Sequence, residues 1–303
     1  MNILYVVLAS IGFGVFPSIE NVLLQHGDTP LAVSLVCMAV AGIIAFFCCL
    51  FGQKGLRVTK KNLLDLSLIG MIGFFFTDYL LAVAYTMIPV GFVTMIHFVY
   101  PVLVCIIMAL FFKERLNGFK VIAIICAVSG LYMLTGESFS GSMWGVFIAF
   151  LTALFYAYYM IGSDRSSIST VAVWGRVFYT CFFAVVMGFC FGLATGTELI
   201  FPATIYDWLT GAAAGTVFCL SIYFLNKGIC GLGASEASFI NMLEPITSLL
   251  VSAAVYGYTI TLSAWIGCGL IVSSLFFASY TGIGVQTEEQ VRKNGNKKSS
   301  PQL

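Results

Sequence analysis

Long apolar segments, separated by short polar, glycine- or proline-containing breaks, cover almost the whole chain. Each segment is close to the roughly 20 residues that a helix needs to cross the hydrocarbon core of a membrane. The pattern therefore predicts an all-α integral membrane protein with ten transmembrane helices. The predicted spans are residues 3–24, 30–52, 63–86, 90–112, 118–136, 143–162, 170–193, 206–228, 235–257 and 261–285. The polar tail at 286–303 is predicted to be disordered and cytoplasmic.

The composition excludes the common soluble classes. Hydrophobic residues make up 60% of the 303 residues and charged residues 9%, and the mean hydropathy is +1.02. A soluble domain carries about 25% charged residues, so a soluble enzyme, a nucleic-acid-binding protein and a disordered chain are all excluded. The ten cysteines lie in apolar segments without metal-ligand spacing. We interpret them as small buried hydrophobic residues and expect no metal site.

Basic residues sort to one side of the predicted membrane. Lys and Arg occur after the second, fourth and sixth spans, at the end of the eighth span and in the tail. The opposite loops, near residues 25–29, 87–89, 137–142, 194–205 and 258–260, contain none. The first apolar segment has no preceding Lys or Arg and no cleavage site, so it is expected to be a retained span. The positive-inside rule then predicts a multi-pass protein of the plasma membrane with both termini cytoplasmic.

The two halves of the chain resemble each other. Residues 89–116 align with residues 233–260. The alignment pairs Pro101 with Pro245, His97 with Asn241 and Tyr100 with Glu244. Five predicted spans per half is an odd number, so the second half must enter the membrane with inverted orientation. We therefore predict two inverted five-helix repeats, at 1–137 and 143–285.

Inverted repeats are typical of secondary transporters that bind substrate near the midplane, at the repeat interface. Prolines within spans remove a helical hydrogen bond and allow the helix to bend. We expect such kinks at Pro17, Pro101 and Pro245. The sequence therefore predicts transport of a small-molecule substrate by alternating access, with one half rocking against the other.

The chain also resembles the EamA-like family of the drug/metabolite transporter superfamily, over residues 3–285. The resemblance rests on the duplication, on Glu244–Pro245, on FKERL at 112–116 before GFKVIAIICAVSG, and on Arg176 early in span 7. The chain departs from the pattern where Tyr258 stands in place of a second-half counterpart of Glu114. The resemblance implies export or exchange of amino acids, related amines or other small metabolites, with proton or substrate gradients as the driving force.

Ionisable residues inside predicted spans are the first candidates for function, because each costs about 2.5–3.5 kcal/mol to insert. Glu20, Asp78 and His97 lie on spans 1, 3 and 4, each roughly 6–12 Å below the outer surface by helical rise. A common depth predicts one polar cluster in an outer vestibule. There His97 would titrate while a carboxylate tunes it, or the cluster would hold a substrate ammonium group. A structural hydrogen-bonded network between helices is the alternative interpretation.

The second half supplies further candidates near the membrane centre. Glu244 immediately precedes Pro245, and we interpret it as a gating or substrate residue. The alternative is a cap for backbone groups that the proline frees. Asn241, Tyr100, Tyr79 and Tyr223 are further candidates for substrate binding or gating, with packing as the alternative for the aromatic residues. Arg176 is a candidate gate partner for an acid such as Glu244.

Two other functions fit the same residues: an intramembrane enzyme that uses Glu20, Asp78 and His97, or a channel. The inverted repeat favours a carrier over an enzyme, and no repeated selectivity ring indicates a channel. No glycine-rich phosphate loop precedes a helix, so the sequence does not indicate transport powered by ATP, and no cofactor is expected. The expected partners are a small-molecule substrate, the lipid bilayer and, as a candidate coupling ion, the proton. No nucleic acid is expected, and no residue pattern indicates an oligomeric state.

Overall fold

The computed structural model describes residues 1–52, 56–88, 90–114, 117–135, 142–257 and 259–278, and every regular element in these ranges is a helix. The predicted tail at 286–303 and the end of the tenth predicted span lie outside them, as do Lys54 and Arg115 of the basic loops. The helices are α1 (Asn2–Gln25), α2 (Pro30–Phe51), α3 (Lys60–Leu68), α4 (Phe76–Tyr85), α5 (Val90–His97), α6 (Tyr100–Phe112), α7 (Gly118–Thr135), α8 (Met143–Arg165), α9 (Val173–Thr195), α10 (Ile205–Leu232), α11 (Ala234–Asn241), α12 (Leu243–Tyr256) and α13 (Leu262–Ala278).

The described chain contains eight helical segments that are long and apolar enough to cross a membrane. These are Asn2–Gln25, Pro30–Phe51, Lys60–Tyr85, Phe92–Phe112, Met143–Arg165, Val173–Thr195, Ile205–Leu232 and Ala234–Val255. The fifth and tenth predicted spans correspond to the shorter apolar helices Gly118–Leu134 and Leu262–Ala278, of at most 17 residues. The all-helical membrane class is confirmed, and within the described residues eight of the ten predicted spans reach full length.

The third span is a continuous helix with a widened middle. A π-helical segment, Ile69–Phe75, joins α3 to α4. Its two glycines let neighbouring helices approach closely: a Cβ at Gly70 would lie 2.7 Å from the Thr180 carbonyl of α9, and one at Gly73 would lie 3.1 Å from the Tyr159 Cβ of α8. π-Helical turns of this kind are frequent at functional sites.

The fourth and ninth spans are each broken near the middle. α5 ends at His97 and α6 begins at Tyr100, so Pro101 lies in the first turn of α6. α11 ends at Asn241 and α12 begins at Leu243, so Pro245 likewise lies in a first turn. The first turn tolerates proline because its N–H groups have no intrahelical partner. α1, in contrast, stays helical through Pro17.

Helices from the two halves pack against each other in matching pairs. α1 packs against α10, α11 and α12, and α8 packs against α4, α5 and α6. α2 packs against α9 and α10, while α9 packs against α3 and the π-helical segment. α7 meets α13 at two glycines, where a Cβ on Gly130 would lie 2.8 Å from the Gly267 carbonyl. The two halves are therefore interleaved along the length of the bundle.

The first helix connects the two faces of the bundle, which are named the N-terminal face and the distal face. α1 begins at the N-terminal face and ends at the distal face, where α2 begins. At the distal face, the His26 Nδ1 lies 2.6 Å from an Asp207 carboxylate oxygen and so ties α10 to the end of α1. Asp28 in the same loop is buried and its Oδ2 has no hydrogen-bond partner in the described chain. Burial and the charge of Asp207 both raise the pKa of Asp28 above its usual range, and His26 acts in the opposite direction.

Candidate functional site

A cavity of about 540 Å³ extends from the distal face into the middle of the bundle. Its outer end is lined by Pro30 and Thr86, which are both exposed at helix ends. Its inner end is lined by Phe74, Tyr156 and Phe218. Helices of both halves contribute: α1, α2, α4 and α5 from the first, and α8, α10 and α12 from the second. The volume lies in the range of small-molecule binding sites.

One side of the cavity carries two carboxyl groups from the first half. Glu20 on α1 and Asp78 on α4 both line it, together with Ser34 on α2. The Ser34 hydroxyl donates a hydrogen bond to the Asp78 Oδ2. Glu20 makes no hydrogen bond or ion pair among the described residues, and its carboxylate is left to the cavity. The structure thus places together the two acids that were expected in one vestibule.

His97 lines the same cavity from the end of α5, beside the break in the fourth span. Its Nδ1 lies 3.0 Å from the Thr152 hydroxyl, and that hydroxyl donates its proton to the Ala149 carbonyl at 2.6 Å. A hydroxyl has one proton to give, so Nδ1 must be the donor to Thr152. The neutral ring therefore carries its proton on Nδ1, and Nε2 is the atom that gains or loses a proton.

Glu244 also lines the cavity, and a buried network holds its carboxylate. The Asn241 Nδ2 donates to Glu244 Oε2 and to the Tyr100 hydroxyl, both at 3.1 Å. The Ser10 hydroxyl lies 3.2 Å from the Asn241 Oδ1, and the Tyr100 hydroxyl lies 3.4 Å from the Ser238 carbonyl. Asn241 and Tyr100 are completely buried and lie behind the lining of the cavity. Asn241 therefore connects the break in span 9 to spans 1 and 4.

Aromatic rings form the inner end of the cavity. The Phe218 ring of α10 lies 4.8 Å from the Phe16 ring and 5.6 Å from the Phe74 ring, measured between centroids. The Tyr156 ring lies 5.3 Å from the His97 imidazole and 4.6 Å from the Tyr100 ring. Phe16, Phe74 and Phe218 were not among the residues predicted from sequence. A helical stripe could have found Phe16, because it lies one turn before Glu20 on the same face of α1.

Besides Asn241 and Tyr100, three further predicted site residues do not line the cavity. Tyr79 packs against Phe191 with centroids 4.7 Å apart, and Tyr223 stacks on Trp174 at 4.0 Å. Arg176 is buried and donates to the carbonyls of Val171, Ser163 and Ser169, at 2.9, 3.1 and 2.5 Å. In this conformation Arg176 therefore holds the connection between α8 and α9, and its contacts are backbone carbonyls rather than an acid.

At the N-terminal face, contacts connect the fourth, fifth, sixth and ninth spans. Lys120 is buried, and its Nζ lies 2.5 Å from Glu114 Oε1. The Ser235 hydroxyl at the start of α11 donates to Glu114 Oε2 at 3.0 Å. The Asp164 carboxylate accepts from the Ala234 backbone N–H at 3.1 Å. Glu114 thus ties the hairpin between spans 4 and 5 and reaches the ninth span as well.

The apolar helices, the two broken spans and the cavity with ionisable walls define a multi-pass membrane protein of the transporter class. The described residues contain no group of three or more His, Cys, Asp or Glu side chains placed to hold a metal ion. The family model of the EamA-like transporter family matches residues 1–136 and again residues 143–280. The chain belongs to the EamA-like transporter family, as its sequence resemblance predicted.

Individual relatives agree with this assignment. The chain is 24% identical over 261 residues to "Uncharacterized inner membrane transporter YicL" of Salmonella typhimurium (strain LT2), covering 82% of this chain and 84% of that protein. A solved crystal structure is similar in fold with a TM-score of 0.77 and 16% sequence identity, over 93% of this chain and 97% of that one. The protein is therefore a multi-pass transporter of the plasma membrane, which points away from the intramembrane enzyme considered above.

Proposed function

We propose that the protein is a secondary active transporter that moves small organic metabolites, amino acids or related amines, by alternating access. The observation that carries this proposal is the cavity that reaches the middle of the bundle from the distal face. Its inner end lies next to both broken spans, at His97 and Glu244. A substrate held there is in contact with the two helices that are most easily bent.

The packing supports an inverted repeat of five helices per half. With five spans per half, α8 is the counterpart of α1, α10 of α4 and α12 of α6. The α1–α10 contact in the structure therefore corresponds to the α8–α4 contact, and the α1–α12 contact corresponds to the α8–α6 contact. The α2–α9 and α7–α13 pairs exchange into themselves. The double match of the family model, at 1–136 and 143–280, supports the same duplication. In this proposal the boundaries are 1–137 and 143–285.

The proposed orientation places both termini in the cytoplasm, on the positive-inside rule. Arg57, Lys60, Lys113 and Arg165 lie at the N-terminal face. The distal face is then the outer face, and the structure corresponds to the state in which the cavity opens outward. In the opposite state, the contacts of Glu114 with Lys120 and Ser235 must separate and the outer mouth must close.

The site residues have separate roles in this proposal. Glu20 and Asp78 hold a substrate ammonium group or a proton, and His97 is a second proton site beside the hinge of span 4. The charge state of Glu244 changes when a substrate or proton binds, and the hydrogen bonds of Asn241 link this change to Tyr100. Substrate or proton binding thereby acts on spans 4 and 9 together. Export is proposed as the direction of net transport, following the family.

Counterflow in proteoliposomes tests the proposal directly. Vesicles loaded with an unlabelled candidate amino acid or amine should accumulate the labelled compound transiently and release it chemically unchanged. Glu244→Gln should reduce the initial rate at least tenfold, because it removes an ionisable carboxyl group that faces the cavity. Glu198→Gln, an exposed acid of a distal loop, is the matched control and should leave the rate unchanged. Product formation would indicate an enzyme, and equilibration without counterflow would indicate a channel.

A further inference from the structure

The ionisable side chains of the cavity are unequal in sign. Among its described lining residues there are three carboxyl groups, on Glu20, Asp78 and Glu244, and one imidazole, on His97. The same lining contains no Lys or Arg. The cavity therefore offers carboxyl groups to a substrate ammonium group, but it offers a substrate carboxylate no guanidinium or lysine ammonium partner.

The basic residues nearest the bundle interior are engaged elsewhere. The Arg176 guanidinium donates to three backbone carbonyls. The Lys120 ammonium is paired with Glu114 at the N-terminal face. The Lys227 ammonium lies over the rings of Tyr5 and Tyr223, at 5.8 and 6.0 Å from their centroids. None of these cations lines the cavity in the described structure.

The broken helices also fail to provide a carboxylate site. In many transporters, the N-terminus of a half-helix binds the substrate carboxylate through free N–H groups and the helix dipole. Here the first turn of α12 carries Glu244, which lines the cavity, and Pro245, which has no N–H. A substrate carboxylate at this position would meet another carboxyl group.

The apolar part of the cavity suits a bulky or aromatic body. The Phe218 ring lies 4.8 Å from the Phe16 ring and 5.6 Å from the Phe74 ring, measured between centroids, and Tyr156 lines the same cavity. Aromatic faces attract a cation through their quadrupole and bury apolar groups. The cavity thus combines ring surfaces at its inner end with carboxyl groups on its sides.

From these observations we infer that the cavity selects organic cations, in which an ammonium group is joined to an aromatic or apolar body without a carboxylate. This inference rests on the proposed function and narrows its substrate class from amino acids and amines to amines. Glu20, whose carboxylate has no protein partner in the described chain, receives the ammonium group, and Asp78 lies beside it with one oxygen held by Ser34.

Three probes with the same ring test the inference: 2-phenylethylamine, phenylalanine and 3-phenylpropionate. Their binding to the purified full-length chain is measured by isothermal titration calorimetry. We expect 2-phenylethylamine to bind at least tenfold more tightly than phenylalanine, and 3-phenylpropionate not to bind. Equal or tighter binding of phenylalanine, or no binding of the amine, would overturn the inference.

Variants assign the ammonium position. Glu20→Gln and, separately, Asp78→Asn should each weaken binding of 2-phenylethylamine at least tenfold, while Glu198→Gln should not change it. A monodisperse elution profile identifies folded variants, and the two substitutions provide independent tests. Unchanged amine affinity in a folded Glu20→Gln variant would contradict the assignment of Glu20.

Counterflow with the same probes separates this inference from the proposed function. Counterflow of phenylalanine together with weak amine binding would retain the transporter and overturn the substrate class. Tight amine binding without counterflow of any probe would retain the cation site and overturn the transporter.

Discussion

Asn241→Ala should uncouple the break in span 9 from spans 1 and 4. The side chain is completely buried and contacts the Ser10 hydroxyl, the Tyr100 hydroxyl and the Glu244 carboxylate, at 3.2, 3.1 and 3.1 Å. Hydrogen bonds between helices in membranes contribute about 0.6 kcal/mol on average. The Ser10 hydroxyl has one proton and donates it to the Val6 carbonyl at 2.8 Å, so the substitution removes the two hydrogen bonds that the Asn241 Nδ2 donates. The free energy of unfolding should therefore fall by about 1 kcal/mol, measured by denaturation in mixed micelles.

The same variant should reduce the initial counterflow rate about tenfold, because Glu244 no longer communicates with Tyr100. Asn226→Ala is the matched control. Asn226 is also buried, and its Nδ2 donates to the Tyr159 hydroxyl at 2.8 Å and to the Ile222 carbonyl at 3.0 Å. It should lose comparable stability and retain most of the rate. The reasoning is refuted if the two variants lose transport equally, since Asn241 would then contribute packing alone.

Three further substitutions test other contacts. Gly14→Ala should separate α1 from α12, because the added Cβ would lie 2.9 Å from backbone atoms of α12, and both stability and transport should fall. Gly269→Ala is the control and should be tolerated, because its Cβ would have open space. Glu114→Gln should lower the free energy of unfolding by about 1–3 kcal/mol, because buried Lys120 loses its charged partner. A gain in stability would contradict the assigned contact. Asp28→Asn should raise the Tm at pH 7, and this gain should shrink towards pH 4. The pKa of Asp28 is higher in the folded chain than in the unfolded chain. Ionisation of Asp28 therefore lowers the stability of the folded chain as the pH rises through these two pKa values. An effect of Asp28→Asn that does not depend on pH would refute this account.

Much of the cavity could be predicted from positions on single helices. Inserting an ionisable group into a membrane span is costly, so such groups indicate function, and this argument identified Glu20, Asp78, His97 and Glu244. The structure brings all four to one cavity. The sequence suggested the first three as one cluster from their common depth. It assigned Glu244 to a separate region, because depth along a helix does not tell which helices are neighbours across the bundle.

Residues that depend on helix rotation could not be placed in the same way. Tyr79 follows Asp78 directly, and successive residues in a helix point about 100° apart, so both cannot face the cavity. Asp78 lines the cavity and Tyr79 packs against Phe191. Tyr223 is five residues after the cavity-lining Phe218, which again places it on another side of its helix. Aromatic identity alone did not reveal these orientations.

The partner of Arg176 was also beyond sequence reasoning. A buried guanidinium suggests an acid, since buried charges are usually paired. The end of α8 and the loop between α8 and α9 instead turn three carbonyls towards it, at Ser163 in α8 and at Ser169 and Val171 in the loop. Backbone acceptors are invisible in side-chain patterns, and their positions depend on the loop conformation. A gate pair between Arg176 and Glu244 stays a prediction for another conformation.

The central claim is that one cavity is reached from the two sides of the membrane in turn. It is tested most directly by a single cysteine at the cavity-lining Ser248, in a variant whose ten native cysteines are replaced. A membrane-impermeant maleimide should label Ser248→Cys in right-side-out and in inside-out vesicles, and the vesicles should not leak ions. Labelling from one side alone under all substrate conditions, or labelling from both sides together with an open ion leak, would contradict the account.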